Sequence, residues 1–211
     1  MQHPSLETIA ERLTAQLRCE QEDLCRPILQ QVTRGKPVTP ASLQASLQVS
    51  QDELEQRLAR LSPDVEFDQA GNIVGLGATQ VPTSHRLQIG GRLLYTWCAF
   101  DTLTYPVELH LSAQVTSRCP VTGSSIQLTV TPEQVLDLDP GEAQVSLVVD
   151  VADGCCSNVR QDVCNYGHFF ASREAALLWQ AAHREAVILS VEEAYRVGKL
   201  GEGSHFRDAE P

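Results

Sequence analysis

Val65-Glu66-Phe67-Asp68-Gln69-Ala70-Gly71-Asn72-Ile73-Val74-Gly75 decides the first part of the fold. Two short runs with β-branched and aromatic residues flank Gly71-Asn72, a pair suited to the left-handed backbone of a tight turn, so the stretch reads as a hairpin. Working back from it, Ser50-Gln51-Asp52-Glu53 is a capping box that opens a helix with Leu54, Leu58 and Leu61 on one face. Thr39-Pro40 opens another helix that runs through Leu47. Before that, Leu24, Ile28, Leu29 and Val32 mark a helix that stops near Gly35, with Pro27 expected in its first turn, where a missing N–H is harmless. Ser5 caps the first helix, with Leu6, Ile9, Ala10, Leu13 and Leu17 at helical spacing. Helices followed by a hairpin give residues 1–80 the pattern of a winged helix-turn-helix.

Working forward, a linker with Pro82 leads to His85–Ile89, Gly90-Gly91 and Arg92–Thr96, two strands joined by a glycine turn. Further strands are expected at Leu109–Val115, Ile126–Val130 and Val145–Val149, and a short helix at Thr131-Pro132. Ser172 caps a helix through about His183, Ala186–Leu189 reads as a buried strand, and Ser190 caps a last helix ending at Gly198. No regular βαβ rhythm runs through this part, so the fold class is α+β: a small winged-helix-like domain over 1–80 and a mixed α+β domain over 81–211, the part that holds the candidate reacting residues.

The chain has 211 residues and a formal net charge of -11. An acidic surface lacks the long-range attraction that phosphate and anionic lipid require, so neither nucleic acid nor membrane is an expected partner. The helix at Gln51–Arg60, which would face DNA, carries Asp52, Glu53 and Glu55, and reads better as scaffold. No run approaches a membrane span, and Met1–Glu7 lacks a signal-peptide pattern, so the expected location is the cytoplasm. The seven cysteines are odd in number, which predicts free thiols rather than a disulfide framework.

The chemistry lies in two segments. In Tyr95-Thr96-Trp97-Cys98-Ala99-Phe100-Asp101-Thr102-Leu103, Cys98 and Asp101 have a spacing that puts thiol and carboxylate on one face of a helix. A carboxylate there can take the thiol's proton and return it to a substrate, while apolar neighbours raise its pKa toward the useful range. The second segment, Val159-Arg160-Gln161-Asp162-Val163-Cys164-Asn165-Tyr166-Gly167-His168-Phe169-Phe170, offers Cys164 and His168. Taken alone, a cysteine among aromatics reads as core packing, and a histidine beside two phenylalanines reads as a hydrogen-bonded core residue. Cys155-Cys156 follow Gly154 in an expected loop, where exposed thiols are the plainer reading and accessory soft-metal ligands the other. No C-x2-C pair exists, which argues against structural zinc.

Together the two segments, with Arg34-Gly35-Lys36-Pro37-Val38, Asp68, Gly71-Asn72-Ile73, Cys119 and Thr122-Gly123, resemble the bacterial alkylmercury (organomercurial) lyase family over nearly the whole chain. The resemblance implies a winged-helix-like domain joined to an α+β catalytic domain. It implies that Cys98 and Cys164 are the catalytic thiols and Asp101 the catalytic acid, that all three residues form the mercury site, and that Cys119 is structural. It also implies protonolysis of carbon–mercury bonds without a cofactor, the Hg(II) product passing to mercuric reductase or small thiols. Two departures stand out: Asn165, where some members have a second adjacent cysteine, and the Cys155-Cys156 pair, in what looks like an insertion. Other readings left open are a non-catalytic thiol carrier or sensor of soft metal ions, a metal-responsive DNA-binding regulator, and a cysteine hydrolase. The hydrolase lacks a designated histidine base.

Overall fold

The computed structural model describes residues 4–17, 21–149 and 158–201. Helix α1 (Leu6–Leu17) starts where the Ser5 hydroxyl accepts the Thr8 N–H. Helix α2 (Glu22–Thr33) begins earlier than the sequence suggests, because the Gln21 carbonyl already accepts the Leu24 and Cys25 N–H groups. Pro27 therefore lies inside α2, not in its first turn. Thr39 and Ser50 cap α3 (Pro40–Leu47) and α4 (Gln51–Leu61) with their side chains, as their positions predict. The hairpin follows as β1 (Glu66–Phe67) and β2 (Ile73–Leu76), with Gly71 at φ 78° in the turn.

Strand β3 (Ala78–Thr79) pairs with β2 on one side and, on the other, with the second strand of the glycine hairpin formed by β4 (His85–Ile89) and β5 (Arg92–Thr96). Helix α5 (Ala99–Glu108) replaces the start of the expected strand at Leu109: the Leu109 N–H still bonds the Tyr105 carbonyl, and His110 takes φ 51°, so β6 runs only from Ala113 to Arg118. Strand β7 (Ser125–Val130) leads to Thr131, expected to open a short helix. Its hydroxyl instead accepts the Glu133 and Gln134 N–H groups, a tight turn that feeds the edge strand β8 (Val135–Asp139). The main sheet is antiparallel, in the order β1-β2-β3-β5-β4-β6-β7-β8.

A smaller sheet places β9 (Gln144–Val148) between β10 (Phe169–Phe170) and β11 (Ala186–Ser190). The four-residue helix α6 (Val159–Asp162) precedes β10, α7 (Arg173–Gln180) follows Ser172, and α8 (Val191–Leu200) follows Ser190. Helix α8 runs past Gly198, where a Cβ would meet Thr104 Cγ2 at 2.8 Å, so glycine lets α8 approach α5 closely. Among the described residues, no helix is long and apolar enough to cross a membrane.

Two buried clusters hold the fold. One joins Leu24, Ile28, Val32, Leu43, Leu54 and Ile73 within α2–α4 and the hairpin. The other gathers Leu87, Leu103, Val115, Leu147, Phe169 and Val191, and it includes Ile9 and Leu13 of α1. The first helix thus packs on the second core, which brings its C-terminal end to the site.

Candidate active site

Cys98 stands in extended conformation just before α5, and Asp101 is the helix's third residue. Their spacing predicts a shared helix face; what forms is a reciprocal cap. The Asp101 N–H donates to Cys98 Sγ at 3.4 Å, and the Cys98 N–H donates to Asp101 Oδ2 at 3.1 Å. The usual capping residue is serine or threonine. A cysteine here puts a nucleophilic sulfur at the positive end of a helix.

Cys164 opens a 3₁₀ turn, Cys164–Tyr166, that ends at Gly167. The Gly167 carbonyl accepts the Ala99 N–H at 2.9 Å and so joins the two segments. A Cβ on Gly167 would lie 2.7 Å from Cys98 Cβ and 3.3 Å from its sulfur, so this approach requires glycine. The sulfurs of Cys98 and Cys164 and a carboxylate oxygen of Asp101 lie within 4.8 Å of one another, and all three residues are buried.

Burial dominates the electrostatics. It pushes the Cys98 thiol well above its ordinary range, helped by the neighbouring Cys164 and Asp101. It lifts Asp101 to about 6, against the pull of the hydrogen bonds from Cys98 and Trp97. For Cys164, the hydrogen bond with Cys98 lowers the pKa, but burial and the carboxylates of Asp101 and Asp64 outweigh it. Near neutral pH the arrangement is two protonated thiols beside a largely ionised acid. That is the starting state for a proton to move from sulfur to oxygen once a soft cation replaces it.

A cavity of about 100 Å³ lies against Asp101 and Cys164, walled by Leu17, Leu29, Leu61, Leu76, Trp97 and Tyr105. Residues from both buried clusters and from α1 form this wall, so neither half of the chain encloses the site alone. The Tyr105 hydroxyl donates to the Leu76 carbonyl at 3.3 Å, and a Cβ on Gly77 would collide with it.

The other sequence candidates lie elsewhere. Cys119 is buried at the turn after β6, where its sulfur accepts the Thr122 N–H at 3.4 Å. His168 is half-buried, its ring 5.4 Å from Trp179 in an edge-on contact, and its backbone N–H donates to Ser146 Oγ. Cys155 and Cys156 lie outside the described residues. Cys98, Cys119 and Cys164 are free thiols, but Cys25, which lines the cavity, is disulfide-bonded, contrary to the expectation of free thiols throughout. Sequence reasoning missed Gly167, Asp64 and Glu66. Gly167 alone carried a local signal, a glycine three residues after a candidate thiol.

A family model described as alkylmercury lyase matches residues 78–200, and one described as the helix-turn-helix domain of alkylmercury lyase matches residues 7–77. The chain belongs to the alkylmercury lyase family. Within the family, the Streptomyces lividans alkylmercury lyase is 41% identical over 176 residues, covering 83% of this chain and 80% of that one. The Pseudomonas putida alkylmercury lyase is 40% identical over 186 residues, covering 87% and 84%. The mercury-bound form of MerB2 superposes with a TM-score of 0.80 at 26% identity, covering 95% of this chain and 98% of that one.

Proposed function

We propose that Cys98, Cys164 and Asp101 carry out the organomercurial lyase reaction of this family member, protonolysis of a carbon–mercury bond to hydrocarbon and Hg(II). The observation that supports this most is the buried group of two sulfurs and one carboxylate within 4.8 Å. Thiolate is the preferred ligand of a soft metal, and a nearby acid is what cleavage adds to binding.

The substrate R–Hg–SR′ arrives on a small thiol. Cys98 displaces R′S⁻ from mercury as its proton passes to Asp101, and Cys164 then binds mercury, its proton leaving on R′SH. Two thiolates push electron density onto the mercury-bound carbon. Asp101 delivers its proton there, the Hg–C bond breaks with its electron pair on carbon, and R–H departs. Hg(II) remains on Cys98 and Cys164 until other thiols or a mercuric reductase remove it. The chain's residues do this without a further cofactor. The helix cap serves it by holding the Asp101 carboxylate toward Cys98, and the apolar cavity admits the organic group while excluding water.

In this reading residues 1–80 act as scaffold and residues 81–211 carry the reacting groups. A thiol carrier would need Cys98 and Cys164 but not an acid held at about 6 beside them. Incubation with phenylmercury and excess thiol tests the proposal: benzene appears if it is right, and stoichiometric mercury binding without benzene returns the carrier.

A further inference from the structure

Two acids reach toward the site from the wing half of the chain. Asp64, in the 3₁₀ turn Ser62–Asp64 after α4, accepts the Val159 N–H on Oδ1 at 2.7 Å. Glu66, in β1, gathers three donors: the Thr79 hydroxyl at 2.5 Å and the Trp97 indole N–H at 3.2 Å on Oε2, and Arg160 Nη1 at 2.9 Å on Oε1. The Arg160 guanidinium also lies over the Trp97 ring, 5.0 Å from its centroid. The Glu66 side chain is 17% exposed and that of Arg160 38%, so the carboxylate end of this ion pair is shielded while the guanidinium end is partly open to solvent.

Val159 and Arg160 open α6, and Cys164 follows its last residue by two positions. A four-residue helix has too few internal hydrogen bonds to hold its own place, so outside ties must fix it. Those ties come from Asp64 and Glu66. On its other side Glu66 holds Trp97, the residue beside Cys98. One carboxylate therefore holds a side chain from each of the two segments that carry the thiols.

We propose that Glu66 is a positioning residue of the reaction: through Arg160 and Trp97 it sets the separation at which Cys164 and Cys98 share one mercury atom. The proposal rests on the reading of Cys164 as a reacting thiol. Loss of Glu66 leaves mercury on one thiol and slows the second capture, on which cleavage depends.

Glu66→Ala and Arg160→Ala are measured singly and together for single-turnover benzene release from phenylmercury, KM and thermal midpoint, with Cys164→Ala in parallel. Each single variant is expected to slow release by roughly 10-fold or more while KM changes less than kcat. The double variant is expected to be no slower than the slower single, because both residues act through one tie. Glu66→Gln, which keeps the size and one acceptor oxygen but loses the charge and the second acceptor, is expected to fall between wild type and Glu66→Ala, and it decides the matter if the alanine variant does not fold. Wild-type release by a folded Glu66 variant, a lowered thermal midpoint with unchanged chemistry, or independent multiplication of effects in the double variant overturns the proposal. Benzene release by Cys164→Ala would instead remove the site reading beneath it, whatever Glu66 does.

Discussion

Cys98 and Asp101 each hold the other's backbone: the Asp101 N–H points at the Cys98 sulfur, and the Cys98 N–H points at the Asp101 carboxylate. The carboxylate is thereby oriented by the residue whose proton it is proposed to take. Asp101→Asn keeps the cap, since an amide oxygen still accepts the Cys98 N–H, but has no proton to exchange. The variant is expected to bind mercury stoichiometrically and release hydrocarbon at least 100-fold more slowly, on the order of a general acid's contribution. Normal benzene release by Asp101→Asn would remove Asp101 as the acid.

Each thiol is needed if mercury must carry two thiolates before its carbon accepts a proton. Cys98→Ala and Cys164→Ala are each expected to lower turnover by orders of magnitude while the circular-dichroism spectrum stays that of the wild type. A folded variant with near-normal turnover would take that cysteine out of the mechanism.

Asp101 also leaves a mark on the mercury-free protein. Its pKa is raised from 3.8 to about 6, so burial favours the protonated form. Its stabilising contribution is fully present below the unfolded value near 3.8 and is lost as pH rises through about 6. Near pH 8 the ionised carboxylate lowers stability by about 3 kcal/mol, an order-of-magnitude figure from the linkage relation. Asp101→Asn should therefore be more stable than wild type in denaturant titrations at pH 8, with the difference vanishing near pH 4. His85, bonded to Ser117 and held at about 3 by burial, acts in the opposite sense. Its contribution is present above 6.5 and lost as pH falls toward 3, equally in both proteins, so the comparison between them isolates Asp101. Equal stability at pH 8 would contradict the assignment.

Gly167→Ala tests the junction. The added methyl would meet Cys98 Cβ at 2.7 Å, and backbone on both sides limits the room to yield. The expected result is a loss of about 1–3 kcal/mol of stability, the usual range for overpacking, with slower turnover from a displaced Cys98. A wild-type melting curve with wild-type rate would mean that the two segments separate easily.

The helix-turn-helix half is expected not to bind DNA specifically. The chain carries a net charge of -11, and α4 presents exposed Asp52, Glu53 and Glu55. A gel shift at physiological salt should show no sequence-dependent complex; a salt-sensitive one with a promoter fragment would revive the regulator reading.

Much of this was legible in the sequence because it rests on local chemistry. Thr39, Ser50, Ser172 and Ser190 are side-chain caps where they stand, and Gly90-Gly91 make the hairpin turn with positive φ at both positions. The pairing of Cys98 with Asp101 followed from spacing, although as a cap rather than a shared face. What escaped depends on distant partners. Strand β8 exists because β7 offers an edge, and its largely exposed residues carry no buried-face pattern. Glu66 reads as one acid in a hairpin, since its Arg160 partner is 94 residues away. Pro27 and Pro106 both sit inside helices, where proline ordinarily marks a boundary.

The ladder that runs unbroken from β1 through β3 into β5 bears on how this protein melts. The boundary between the matched segments, at residues 77 and 78, falls between two strands that are hydrogen-bonded to each other. Cutting there would leave each fragment with a raw edge where it had a neighbour. Heat should accordingly dissolve both halves in one cooperative step, and a catalytic fragment begun at residue 78 should be a poor folder, prone to stick to its own kind.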